Sequence, residues 1–269
     1  MINYNPKHWL SFIFSFHKSD TARMMWKELI YICLLSVGIA FIEIHFFPEA
    51  KYLKNLTTVY SLLGFVISLL LVFRTNTAYE RWWEGRKMWG SIVNDTRNLS
   101  LKLQALTLND DQKALFLNLL ISYPQAVKNQ LRNISAKPLE IQALFRKEIE
   151  VLQKGAQINP EQWSAIQRDL DGLVNSLGAC ERIKNTPIPF SYSLFIKKFI
   201  FIYVITMPLA FVPLFGYFAS FISTFVFYAL VSMELLAEEI EDPFGSDTND
   251  LPTDQICINI EKNCRELLK

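Results

Sequence analysis

The sequence predicts an all-α membrane protein with four transmembrane helices and a helical region outside the bilayer. Residues 55–73 and 199–233 carry no charged residue, and a helix needs about 20 apolar residues to cross a bilayer. The intervening residues 74–198 hold most of the charge and place apolar residues such as Leu99 and Leu103 at helical spacing. The chain is 51% hydrophobic yet 20% charged, which suits a membrane protein with a sizeable water-facing part.

The first two spans are predicted within an N-terminal segment, residues 1–73. Residues 29–47 form the first candidate, and Glu43 and His45 interrupt it near its end, either at headgroup level or inside a helix bundle. Residues 55–73 form the second, and the short connection FPEAKYLK between the two suits a helical hairpin.

The second span is expected to continue beyond the bilayer as one unbroken helix. From residue 63 to residue 99 there is no proline, and glycine occurs only at Gly64, Gly85 and Gly90. Proline is the residue that most strongly breaks a helix interior, so nothing in this stretch forces an end.

Residues 74–198 predict a cytoplasmic helical region. Asn109 in LTLNDDQ is predicted to cap one helix, and Asn159 predicts the start of another, with Pro160 in its first position. Residues 135–138 predict the turn between these two helices.

Residues 199–237 predict the third and fourth spans. As one helix, the uncharged stretch would be about 52 Å long, well beyond a hydrocarbon core about 30 Å thick. The chain must therefore fold back, and Pro208, Pro213 and Gly216 supply the place to do so. The expected spans are residues 199–215 and 217–236.

Basic residues predict cytoplasmic N- and C-termini. Arg23 and Lys27 precede the first span, and the middle region begins with Arg74 and ends with Lys197 and Lys198; such residues favour the cytoplasmic side. With four spans, the C-terminal segment of residues 238–269 lies on the same side and is expected to close with a short helix.

Other classes of protein find little support. A net charge of +1 gives no basic field for nucleic acid. The four cysteines form no CxxC or Cys/His cluster, so reduced and packed thiols are expected rather than zinc ligands or disulfides. No nucleophile elbow, P-loop or HExxH motif occurs, which argues against an enzyme and leaves no expected cofactor.

Phe65, Leu69 and Phe73 follow one another at intervals of four, so they share one face of the second span over about two turns. Several copies around an axis would form an apolar constriction, whereas on a single subunit the same face could be a helix-packing stripe. Further along, Asn76, Glu80 and Glu84 fall near the same stripe and are candidates for a lower pore lining. Alternatively, the two glutamates pair with Arg86 or Lys87 on a solvated face.

The segment LGFVISLLLVFR with the Asn/Tyr/Arg/Trp-rich stretch that follows it resembles the bestrophin family of ion channels, including its bacterial members. CERIKNTPIPFSYS and EEIEDPFGSDTNDLP support the resemblance. It implies a homopentamer around one central pore, a neck lined by Phe65, Leu69 and Phe73, and, for a bacterial member, the inner membrane.

The resemblance also implies a cytoplasmic aperture near NPEQW, at Ile158 or Glu161. The family often has an aliphatic residue at that ring, so a glutamate would be a departure, and Glu161 could instead simply favour the positive end of its helix dipole. The segment DPFGSDTND resembles the place where animal bestrophins clasp calcium. Here Ser246, Thr248 and Asn249 interrupt the acidic run and leave Asp247 and Asp250, so calcium is only weakly indicated.

The predicted function is a passive channel for small monovalent ions, chloride as in animal members or cations. The alternatives are a non-conducting membrane scaffold that docks a cytoplasmic partner and a secondary transporter. A transporter usually shows broken helices with polar midplane sites and internal repeats.

Overall fold

The computed structural model describes residues 21–47 and 55–268, and within these ranges the regular structure is entirely helical. The connection at residues 48–54, which was expected to form a hairpin link, lies outside the described residues. In chain order the helices are α1 Thr21–Met24, α2 Trp26–Phe46, α3 Leu56–Gln104, α4 Asp110–Leu131, α5 Pro138–Lys154, α6 Pro160–Asn185, α7 Phe190–Thr206, α8 Pro208–Phe215, α9 Phe218–Glu241 and α10 Thr253–Leu267.

The chain divides into two compact units. The apolar unit takes in the described residues up to Glu80 together with Ile188–Glu241, and the bundle unit consists of Arg81–Pro187 with the residues from Asp242 onward. The charge pattern placed the boundaries at residues 73, 199 and 237. The two units meet instead after Glu80, before Ile188 and after Glu241. Arg74 and Ile196 show why, since both are buried inside the apolar unit despite the charges around them in the sequence.

The described residues contain four helical stretches long and apolar enough to cross a membrane, as predicted: α2, α3, the joined stretch Phe190–Phe215, and α9. The third begins at Phe190 rather than at residue 199. Its first two turns, FSYSLFI, are already apolar, and the helix extends past Lys197 and Lys198 without a break.

The turn between the last two spans is set by backbone chemistry. Helix α7 ends at Thr206, and Pro208 begins the short helix α8. Gly216, directly after α8, adopts a positive φ of 55°. Such a φ costs glycine little and other residues more. The expected fold-back is therefore confirmed at this glycine, while Pro213 is accommodated inside α8.

Gly64 permits a close approach within the subunit. A Cβ atom at this position would lie 2.8 Å from the hydroxyl oxygen of Tyr203, and that hydroxyl donates to the backbone carbonyl of Tyr60 at 3.2 Å. The small residue thus serves the packing of α3 against α7.

In the bundle unit the two predicted helix starts are confirmed. The Asn109 side chain accepts from the backbone N–H of Gln112, and the Asn159 side chain accepts from that of Gln162. In return, the side-chain oxygen of each glutamine accepts the backbone N–H of its asparagine. This capping box satisfies backbone donors that the first turn of a helix leaves free. Pro160 occupies the first turn, as its spacing indicated.

One continuous apolar core holds the bundle unit together. It buries Trp89 and Leu99 from the long helix α3, Phe116 from α4, Phe145 from α5 and Leu170 from α6. The Tyr123 hydroxyl donates to the carbonyl of Leu173 at 2.8 Å. Cys180, Cys257 and Cys264 are buried in the same unit, which agrees with the expectation of packed thiols.

Candidate ion pathway

The candidate neck lies on an exposed face of α3. The side chains of Phe65, Leu69 and Phe73 are 66%, 45% and 56% exposed on the single chain. Their neighbours at Ile67 and Leu71, which point to the other side of the helix, are buried. Three bulky apolar groups therefore remain uncovered by their own subunit, and in a membrane they must meet lipid or other copies of the chain.

The exposed strip is wider than these three residues, since Leu62, Val66 and Val72 are also exposed. In the most apolar part of α3 only 17% is buried, the lowest share among the four candidate spans. This helix therefore has the most apolar surface left for contacts outside its own subunit.

Arg74 follows the neck directly and lies on the side of α3 that is buried in its own subunit. Its side chain is only 1% exposed, and its Nη2 donates to Glu241 Oε2 at 2.7 Å. The other oxygen of Glu241 accepts from the backbone N–H of Ile188 at 2.7 Å. One guanidinium and one carboxylate thus connect α3 with the end of α9 and with Ile188, two residues before α7.

A second carboxylate lies beside the same guanidinium. Arg74 Nε and Glu234 Oε2 are 3.6 Å apart, too far for a hydrogen bond. Both oxygens of Glu234, and Nε and Nη1 of Arg74, are buried with no hydrogen-bond partner among the described residues. Among the described residues, the guanidinium of Arg74 therefore faces two carboxylates, those of Glu234 and Glu241.

The burial of Arg74 against neighbouring helices of its own subunit follows from its place on α3. The position is helical and one step past Phe73, which turns it about 100° away from the exposed face. A signal was present in the sequence, because α9 ends in several acidic residues that need cationic partners.

Below the neck, Asn76 and Glu80 are exposed, as a lining residue must be. Glu84 has a different neighbour from the expected Arg86 or Lys87: its Oε1 lies 2.6 Å from Arg182 Nη2 of α6. Both side chains of that pair are well exposed, so the pair contributes little to stability.

The two aperture candidates differ in burial. Ile158 is 5% exposed and belongs to the core of the bundle unit, so its side chain cannot line an opening and that candidate is corrected. Glu161 is exposed in the first turn of α6. Its carboxylate lies where a helix N-terminus favours negative charge.

The structure brings Asp247 and Asp250 together, but as parts of one turn. Asp250 is buried, and its Oδ2 accepts the backbone N–H of Asp247 at 2.6 Å. The same oxygen would be 2.7 Å from a Cβ on Gly245, so the glycine makes room for it. Among the described residues no three or more His, Cys, Asp or Glu side chains group so as to hold a metal ion.

The bundle unit also contains a carboxyl group with a displaced pKa. Burial, with a further contribution from the charge of Asp169, raises the pKa of Asp95 to about 6, although Lys102 opposes the change. Lys102 Nζ donates to Asp169 at 2.6 Å and to the Ala165 carbonyl at 2.7 Å. A Cβ on Gly172 would lie 2.6 Å from Asp95, so this side chain packs directly against α6.

Comparison with known proteins identifies the relatives of the chain. The family model described as Bacterial/Fungal Bestrophin protein matches residues 1–144 and 133–266. A voltage-dependent anion channel-forming protein of Nostoc sp. is 33% identical, covering 97% of this chain and 92% of the relative. A protein of the same description from Escherichia coli K12 is 31% identical over the same shares. The crystal structure of a bacterial bestrophin homologue from Klebsiella pneumoniae is 28% identical, covers 91% of this chain and 98% of that one, and superposes with a TM-score of 0.82.

Proposed function

Because this chain belongs to the bacterial and fungal bestrophin family and is an integral membrane ion channel, we propose that its ions pass through a neck formed by Phe65, Leu69 and Phe73. Five copies of the chain surround one central axis, and each contributes this face of α3. Ions move passively, down their electrochemical gradient.

The observation that carries the proposal is the exposed apolar face on an otherwise well-anchored helix. The opposite side of α3 is fixed by Ile67, Leu71 and the buried Arg74. A helix anchored in this way can present Phe65, Leu69 and Phe73 to an axis without losing its own packing.

An apolar neck gates by excluding water. When bulky side chains narrow the passage, a column of water is unstable there and ions cannot cross. Widening the ring or shrinking its side chains restores water, and transient hydration then lets ions through. Tight binding would be counterproductive, because an ion that is held cannot leave.

The sign of the permeant ion depends on the charged surfaces beyond the neck. The names of the relatives favour anions. The exposed carboxylates of Glu80 and Glu161 favour cations if five copies line the water-filled path. We therefore propose small monovalent ions as the substrate class, and a reversal potential decides their sign.

In this proposal the protein lies in the bacterial inner membrane, with both termini and the bundle unit in the cytoplasm, as the distribution of basic residues favours. Calcium at Asp247 and Asp250 is the one metal that the sequence suggested, and titrating calcium against the current tests it.

The direct test is the current through purified protein in planar bilayers. Leu69→Ala should raise the open probability at least about tenfold. The reason is that each removed CH₂ group weakens apolar contact by about 0.8 kcal/mol, and 1.4 kcal/mol corresponds to a factor of ten.

Leu70→Ala is the matched control, since Leu70 is the next residue and points about 100° away. Equal effects of the two variants would contradict the neck. A protein that gives no ion flux in liposomes would instead support the non-conducting scaffold, and flux coupled to a second solute would support a transporter.

A further inference from the structure

A cavity of about 350 Å³ lies inside the apolar unit, between α2, α7 and α9. Its volume falls within the range of small-ligand pockets. Most of its wall is apolar, but three charged side chains take part in it: Glu28, Lys197 and Glu234.

The charged side chains lie together at one end of the cavity. In α2 the apolar Ile32 comes four residues after Glu28, and in α7 Phe201 comes four residues after Lys197. In α9, which ends at this side, the order is reversed: Phe227 and Val231 precede Glu234, and Leu235 lines the wall directly after it. All three helices therefore present charge at one level and apolar side chains about one turn deeper.

A cavity with this polarity fits an amphiphile. Its charged end is directed toward the starts of α2 and α7 and the end of α9, the side on which the headgroups of a bilayer are reached. Its apolar end, lined by Ile32, Phe201 and Phe227, offers the surroundings that a hydrocarbon chain prefers.

Unused hydrogen-bonding capacity at Glu234 selects the headgroup. Glu234 is 2% exposed and accepts no hydrogen bond from the described residues. The cation beside it, Arg74, gives its short hydrogen bond to Glu241 and stays 3.6 Å from Glu234. An ionised carboxylate can accept about four hydrogen bonds, so Glu234 has free capacity for a ligand that donates N–H.

Glu234 lines the cavity although its two oxygens are themselves buried. The terminal torsion of a glutamate side chain is soft, so its oxygens can turn toward a bound ligand. Glu28 is already exposed at the mouth. Lys197, paired with Glu238 at 2.8 Å, is half-exposed and can meet an anionic group.

We propose that this cavity binds one ethanolamine phospholipid per subunit. Its acyl chain packs among Ile32, Phe201 and Phe227, its ammonium donates to Glu28 and Glu234, and its phosphate lies beside Lys197. A choline headgroup has the same charge but no N–H to donate, so the site distinguishes the two lipids by hydrogen bonding.

The test is native mass spectrometry of the detergent-purified protein with phosphatidylethanolamine and phosphatidylcholine of identical acyl chains. The wild type should retain the ethanolamine lipid about tenfold more strongly, the factor that one charge-assisted hydrogen bond supplies. Glu28→Gln and Glu234→Gln should each reduce that preference toward one.

Glu239→Gln is the matched control, because it makes the same change on the same helix outside the cavity wall, and it should keep the preference. Val231→Phe adds an aromatic ring to the wall without altering charge, and it should reduce retention of both lipids. The thermal midpoint of each variant shows whether it is folded, and Glu28→Gln, at an exposed site, remains informative if Glu234→Gln is not.

Equal retention of the two lipids by the wild type overturns the proposal, as does retention of neither. An unchanged preference in Glu28→Gln also overturns it. None of these measurements requires ion flow, so the lipid site and the proposed neck can fail independently.

Discussion

Replacing Arg74 with methionine should destabilise the protein far more than the same replacement at Arg182. Both guanidinium groups hold a glutamate at short range, 2.7 Å for Arg74 with Glu241 and 2.6 Å for Arg182 with Glu84. Their surroundings differ, since the Arg74 side chain is 1% exposed and the Arg182 side chain is 66% exposed.

The burial decides the magnitude. Removing one partner of a buried ion pair leaves an uncompensated charge and costs about 3–5 kcal/mol, whereas an exposed pair contributes about 0–1 kcal/mol. Methionine keeps an apolar stem in the site, so most of the loss comes from the charged head. Arg74→Met removes the guanidinium that lies beside the buried Glu234 and the largely buried Glu241.

The assay is the free energy of unfolding of the detergent-purified protein, followed by chemical denaturation of the wild type and the two variants. Adding Glu234→Gln and Glu241→Gln to Arg74→Met should recover part of the loss, because the stranded charges are then removed. Equal losses from the two methionine variants would refute the reasoning, and so would the absence of recovery in the combined variant.

Three further perturbations follow from individual contacts. Gly64→Ala should cost about 1–3 kcal/mol through overpacking, because its Cβ would lie 2.8 Å from the Tyr203 hydroxyl; in a Tyr203→Phe background, denaturation should show a smaller cost, and an undiminished cost would contradict the contact. Burial raises the pKa of Asp95 from 3.8 to about 6, so the folded protein binds this proton more tightly than the unfolded chain does. The stability that this proton contributes is therefore lost as pH rises from about 4 to 6. Asp95→Asn should therefore raise the thermal midpoint above pH 6, with an advantage that vanishes toward pH 4, and an advantage independent of pH would count against it. Glu80→Gln should move the reversal potential in a potassium chloride gradient toward the chloride equilibrium potential, and no movement would remove Glu80 from the pathway.

Much of the fold follows from local sequence. Charge-free runs and their lengths predict the four spans because the bilayer imposes one length on every crossing. The capping boxes at Asn109 and Asn159 depend on residues only three positions away. The unbroken helix α3 follows from the absence of proline over its predicted length.

The contacts that position the neck could not be predicted from local sequence. Arg74 meets Glu241 across 167 residues of sequence, and Arg182 meets Glu84 across 98. Such pairs form only after the helices have packed, and periodicity on one helix does not identify its partner. Ile158 shows the same limit, because an aliphatic residue before a helix start can line an opening or enter a core, and here it enters the core.

Cysteine accessibility tests the neck most directly. In a Cys33→Ser background, chosen because the other three native cysteines are buried, Leu69→Cys and Leu70→Cys would be exposed to a water-soluble, positively charged thiol reagent during current recording. The neck predicts that the reagent changes the current through Leu69→Cys channels and leaves Leu70→Cys channels unaffected. Modification at Leu70 with none at Leu69 would mean that this face of α3 does not border the ion path.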